Sequence, residues 1–62
     1  MSPVVQIALV EGRDPATRAA LIAAVTSAVT DTLAVEPERV RVLLHEVAAE
    51  NWGVAGRPKA AP

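Results

Sequence analysis

The sequence predicts an α/β protein: a single βαβ unit with two parallel strands and a short C-terminal hairpin, forming one domain over residues 1–62. Three observations predict it. Val4–Val10 is apolar and β-branched on both alternating faces, as in a strand covered on both sides. Asp14-Pro15 is a helix start, and apolar residues recur behind it at three- and four-residue spacing. A second apolar run, Arg39 to Val47, follows that helix after Glu36-Pro37-Glu38. Strand, long helix and strand make a right-handed crossover unit with parallel strands.

Each element has a local cause. Glu11-Gly12-Arg13 breaks the first strand, and Asp14 supplies an N-cap with Pro15 at the first helical position. The helix is expected from Pro15 to about Ala34, with Ile22, Val25, Val29 and Leu33 as its apolar stripe, joined by Leu21 and Ala28. Thr17, Arg18, Thr30 and Asp31 fall mostly off that stripe. Glu36 precedes a proline and so resists helical geometry, which ends the helix. The glycine-punctuated stretch Asn51-Trp52-Gly53-Val54-Ala55-Gly56 is expected as a hairpin or edge ribbon, and Arg57 to Pro62 as a loose end.

Composition sets the stability problem. A 62-residue chain buries only about 60% of its unfolded surface, and the usual supplements are disulfides, a structural metal or oligomerisation. There is no cysteine and one histidine, His45, so oligomerisation is the supplement that remains. Apolar residues make up 52% of the chain, which sets it apart from a disordered sequence. Two strands and one helix cannot cover their own faces, so sheets of several chains are expected to join.

The same data exclude function classes. A net charge of −1 lacks the basic stripe of a nucleic-acid binder. The longest purely apolar stretch, Ala19 to Val25, is too short to span a bilayer, and no basic segment precedes an apolar run at the N-terminus. A cytoplasmic protein without nucleic-acid or membrane partners is therefore expected. Residues able to carry chemistry are few: Pro3, Arg13, Arg41, His45, Glu46 and Trp52. Gly12 is a lone turn glycine and not a phosphate loop, and no serine has a base at a suggestive spacing. On residue physics alone the chain is a small oligomeric α/β protein with arginines at its strand ends.

One pattern goes further. Pro3-x-x-Gln6-Ile7-x-x-x-Glu11-Gly12-Arg13, then Val40-Arg41-Val42, then Trp52-Gly53-Val54-x-Gly56 resembles the 4-oxalocrotonate tautomerase family, without a gap and over nearly the whole chain. The resemblance implies a metal-free, cofactor-independent tautomerase that moves a proton within a 2-hydroxydienoate or 2-oxo acid. Pro3 would be the general base and acid as an N-terminal amine. Arg13 and Arg41 would bind the substrate carboxylate and stabilise the developing enolate oxygen. Trp52 would form an aromatic wall, and Val10 and Val54 would line an apolar pocket. His45 has no implied role, and Glu46 is expected to be an ion-pair partner.

Chemistry agrees with these roles. Positioned acid–base transfer is worth roughly 10²–10⁴-fold when the base titrates near the working pH. An apolar pocket with cationic neighbours lowers an amine's pKa toward that range. Guanidinium groups grip planar carboxylates bidentately, and fixed cations stabilise an enolate as it forms. Pro3 and Arg13 lie ten residues apart across a strand, about 25–33 Å at 3.3 Å per residue. They cannot meet within one chain; an antiparallel partner strand would bring its Arg13 to the first chain's Pro3. The resemblance implies a homohexamer, a trimer of dimers.

One departure divides the functional readings. Most members of the family this chain resembles begin Met-Pro, whereas Ser2 here separates Met1 from Pro3, and an internal proline is a tertiary amide with no basic lone pair. Two readings stay open: a tautomerase that works once Met1 and Ser2 are removed, or an oligomeric, small-carboxylate-binding relative whose Pro3 amine is blocked. A family dehalogenase or decarboxylase would need an extra acidic residue to activate water, and no position clearly supplies one.

Overall fold

The computed structural model describes residues 1–60. Strand β1 (Val4–Val10) and strand β2 (Arg41–Val47) pair in parallel, in register from Val4 opposite Arg41 to Val10 opposite Val47. Helix α1 (Pro15–Leu33) connects them, and β3 (Gly53–Val54) pairs antiparallel with β4 (Arg57–Pro58). The predicted βαβ unit with a C-terminal hairpin is the observed fold.

Register assigns the faces, because paired residues of a parallel ladder point the same way. Val5, Ile7 and Leu9 share one face with Val42, Leu44 and Glu46. Glu46 pairs with Arg18 of α1, so this is the helix-covered face. Val4, Gln6 and Ala8 share the opposite face with Arg41, Leu43 and His45, all of them exposed. Gln6 Oε1 and His45 Nε2 lie 3.0 Å apart there.

Three boundaries and the exposure along the helix stripe differ from the sequence expectation. Helix α1 ends at Leu33, and Ala34 closes it in the left-handed conformation (φ 55°, ψ 45°). The second strand begins at Arg41 instead of Arg39, because Pro37–Arg39 forms one 3₁₀ turn. The Arg39 and Val40 amides donate to Glu36 and Pro37 carbonyls (3.0 and 3.1 Å), which leaves the Arg41 amide as the first free for the ladder. The apolar stripe runs through Leu21, Val25 and Val29, which are half-buried, while Ile22 and Leu33 are exposed. At about 100° per residue Ile22 stays on this stripe, between half-buried Val29 and Thr26, so its exposure belongs to a face that the single chain leaves uncovered.

The fourth difference lies at the C-terminus. Arg57 and Pro58 are a strand, not a loose end. Ala55 and Gly56 both have positive φ (53° and 82°), as a two-residue primed hairpin turn requires. Lys59 then donates its amide to the Trp52 carbonyl at 2.8 Å and fastens the hairpin. The part of the expected loose end at residues 61–62 lies outside the described residues.

The single chain is a slab of 43 × 24 × 13 Å with a radius of gyration of 14.5 Å. A compact globule of this length has a radius of about 11 Å. Its accessible surface is 4509 Å², against about 3,800 Å² for a folded monomer of this mass. Among the described residues only Val40 is a buried hydrophobic, and Val4, Leu43 and Val54 are 54%, 44% and 60% exposed. The chain carries apolar faces that it does not cover itself.

Candidate functional site

The first cluster sits where both strands begin. The Arg41 amide donates to the Pro3 carbonyl at 3.0 Å, so the two residues are neighbours across the ladder. Pro3 is half-buried. Its ring leaves no amide to donate, and its carbonyl provides the first acceptor of the sheet. Arg41 is exposed on the open face, and its Nη1 donates to the Glu38 carbonyl at 2.7 Å and more weakly to Val40 at 3.4 Å. The 3₁₀ turn thus supplies the carbonyls that hold the guanidinium near the strand start. Val40, the one buried hydrophobic among the described residues, anchors the chain immediately before Arg41.

The second cluster sits at the other end of the same strands. Val10 closes β1, and the Glu11 amide donates to the Val47 carbonyl at 2.9 Å, carrying the ladder one residue further. Gly12 turns the chain with φ 128°, a conformation that L side chains rarely adopt. Arg13 follows, exposed, with Nη1 donating to the Val10 carbonyl at 3.1 Å. Asp14 then caps α1, its carboxylate accepting from the Thr17 amide at 2.8 Å. The hydrogen bonds from Thr17 hold the Asp14 carboxyl below the usual aspartate range.

Trp52 is half-buried beyond the end of β2, where its amide closes the 3₁₀ turn Ala49–Asn51 on the Ala49 carbonyl at 3.2 Å. Val54 lies next in β3 and is exposed. Of the sequence-derived candidates, Pro3 and Arg41 come together, and so do Val10 and Arg13. The two pairs stand at opposite ends of a seven-residue strand. Six residue steps at 3.3 Å separate them by about 20 Å.

One residue at the second cluster, Arg18, was expected mostly off the apolar stripe, and the structure corrects this by placing it half-buried on the sheet-facing side. Arg18 turns toward the sheet, with Nε 3.0 Å from Glu46 Oε1 and Nη1 donating to the Arg13 carbonyl. Its signal was its spacing: Arg18, Leu21, Val25 and Val29 recur at three and four residues, so the cation begins the stripe that faces the sheet. Glu46, expected as an ion-pair partner, is the other half.

Comparison with known proteins gives this geometry a context. Residues 3–61 match the family described as "Tautomerase enzyme", so the match begins at Pro3 itself. A "probable tautomerase" of Ralstonia nicotianae is 49% identical over 59 residues, covering 95% of this chain and 84% of the relative. The 2-hydroxymuconate tautomerase of Comamonas testosteroni is 41% identical over 54 residues, covering 87% of this chain and 86% of the relative. Among solved structures, TomN, a 4-oxalocrotonate tautomerase homologue of tomaymycin biosynthesis, superimposes with a TM-score of 0.90 at 42% identity, covering 92% and 88% of the two chains. A heterohexameric 4-oxalocrotonate tautomerase of Chloroflexus aurantiacus superimposes with a TM-score of 0.86 at 29% identity, covering 95% and 94%.

Proposed function

The chain belongs to the 4-oxalocrotonate tautomerase family, and on that premise we propose that it is a tautomerase of 2-hydroxydienoate or 2-oxo acids whose base is the Pro3 amine, freed by removal of Met1 and Ser2. The observation that carries the reading is the pairing of Pro3 with Arg41 across the first rung of the sheet. A base and a fixed cation are thereby neighbours in a family whose members are tautomerases.

The free secondary amine takes a proton from the enol form of the substrate and returns one to carbon, so no net proton is consumed. Arg41 stabilises the negative charge on the enolate oxygen, which is where charge grows in the transition state. Arg13 grips a carboxylate bidentately. Because Pro3 and Arg13 flank opposite ends of a strand about 20 Å long, Arg13 serves the site of a neighbouring chain, and Trp52, Val10 and Val54 line the apolar part of that shared site. The uncovered sheet face and the slab shape favour the assembly this requires, and a homohexamer satisfies it.

A second reading has its own observation: Met1 and Ser2 precede Pro3, and an acylated proline has no basic lone pair. In that form the arginines bind small carboxylates without proton transfer. Intact mass with a ketonisation assay on 2-hydroxymuconate separates the readings. A chain beginning at Pro3 should convert the substrate, and the Met1-bearing chain should be slower by about 10²-fold or more. A chain beginning at Pro3 that leaves every enol acid unchanged would sink the tautomerase reading.

A further inference from the structure

We infer that Arg18 and Glu46 form a latch that positions Arg13, making Arg18 a positioning residue for carboxylate binding. The inference rests on the reading of Arg13 as the carboxylate ligand of the neighbouring site.

The geometry is a three-way tie. Arg18 stands in the first turns of α1, and its amide donates to the Asp14 carbonyl at 3.1 Å. Its guanidinium meets Glu46 of β2 through Nε at 3.0 Å, and Nη1 reaches back to the Arg13 carbonyl. One planar cation therefore joins helix, sheet and the turn that carries Arg13. Glu46 is supplied by the sheet face that α1 covers, opposite Leu9, one residue before the end of the ladder. At the ladder's end the Glu11 amide fixes the entry of the turn on Val47, and Asp14 fixes its exit as the helix cap. Between these points Gly12 has no side chain and adopts positive φ, so the Arg13 peptide lacks other support from its neighbour in the turn. Arg18 supplies that support at the carbonyl of Arg13 itself.

Among the described residues the Arg13 side chain is bonded only to the Val10 carbonyl, and a ligand carboxylate would compete with that single neutral bond. Its backbone must then be held from elsewhere while the guanidinium changes partner. Arginine suits the task where lysine does not, because a planar fork donates to two acceptors in fixed directions. Small displacements of a positioned group are costly: an error of about 1 Å lowers rates by up to about 100-fold.

The test reads binding of the dicarboxylate cis,cis-muconate to the full chain by titration calorimetry, and KM and kcat on 2-hydroxymuconate with the chain processed to begin at Pro3. R18M should weaken muconate binding about tenfold and raise KM alike, with kcat changed less than threefold. R18K keeps the charge but loses the planar fork whose two nitrogens reach Glu46 and the Arg13 carbonyl, and should recover about a third of the lost affinity on a logarithmic scale. In an R13A background, R18M should have no further effect on the dissociation constant, because the latch acts through Arg13. R39M, which removes a surface cation outside the network, should bind muconate as the parent does.

Unchanged binding in R18M, or an R18M effect that adds fully to that of R13A, overturns the latch while leaving the Arg13 assignment intact. Should R18M fail to assemble, R18K decides alone: parental affinity overturns the latch, and weakened affinity absent in the R13A background supports it. A parent that does not bind muconate, or an R13A chain that binds it like the parent, overturns the Arg13 assignment and the latch with it.

Discussion

The two ends of the central sheet are built by different means. Where the strands begin, backbone does the holding: the Arg41 amide bonds to Pro3, and the Arg41 guanidinium is seated on the carbonyls of a 3₁₀ turn. Where the strands finish, side chains do it: Asp14 caps the helix, Arg18 spans to Glu46, and Arg13 reaches back to Val10. The first end is thus fixed by the same ladder that defines the fold. The second depends on a few exposed or half-exposed contacts, each individually weak in water. Under the proposed function, the comparison teaches that one chain would carry two halves of a site, a rigid base-and-cation end and a more adjustable carboxylate-binding end, with about 20 Å of strand between them.

Substitutions at the two ends should therefore differ in kind. Arg41→Ala should lower kcat on 2-hydroxymuconate by about 10²–10³-fold, since it removes charge from the developing enolate. Arg13→Ala should act mainly on KM. Equal kcat losses at both positions would erase the proposed division of labour.

The next prediction concerns which chains supply the halves. Arg13→Ala and Arg41→Ala chains, unfolded together and reassembled at equal ratio, should regain activity in about a quarter of their sites if each site draws one arginine from each of two chains. Neither variant alone should show that activity. No recovery in verified mixed assemblies would mean that the two ends never share a site.

Two smaller effects probe how each end is joined to the helix. Ala34 closes α1 in the left-handed region, where an alanine is strained and a glycine is not. Ala34→Gly should stabilise the protein by roughly 0.5–1 kcal/mol, after the extra freedom of glycine in the unfolded chain is set against the relieved strain. Chemical denaturation at fixed protein concentration reads this, since the stability of any assembly depends on concentration.

At the other end, the Thr17 hydrogen bonds lower the Asp14 pKa in the folded state. The carboxylate form is the one the fold favours, so its contribution is present above the ordinary aspartate value of about 3.9 and is lost as pH falls through the lower folded value. Asp14→Ala should be less stable than the parent at pH 7, and the gap should narrow below about pH 4. A gap independent of pH would show that the cap acts without its charge.

Much of this was legible in the chain because it rests on local chemistry. Asp14-Pro15 specifies a helix start wherever it lies, and the β-branched run Val4–Val10 needs only its own alternation to read as a strand. Pro3, Arg13 and Arg41 could be marked as candidates because their spacing matches a family pattern. Arg18 could not be marked that way, since its importance depends on Glu46, 28 positions later in the chain. The strand boundary at Arg41 was hidden for a similar reason. Arg39 and Val40 suit a strand, but Pro37 and Glu36 had already taken their amides.

The amino-acid sequence by itself determined the element types, their order, the helix cap and the apolar surface left over, because these follow from residue conformational preference and from too little core for the length. Only the tertiary structure decided the register that sets Pro3 beside Arg41, the face on which each side chain lies, and the ion pair that ties the Arg13 turn to the sheet. Those depend on contacts between residues far apart in sequence, and a strand shifted by one position would reverse every one of them.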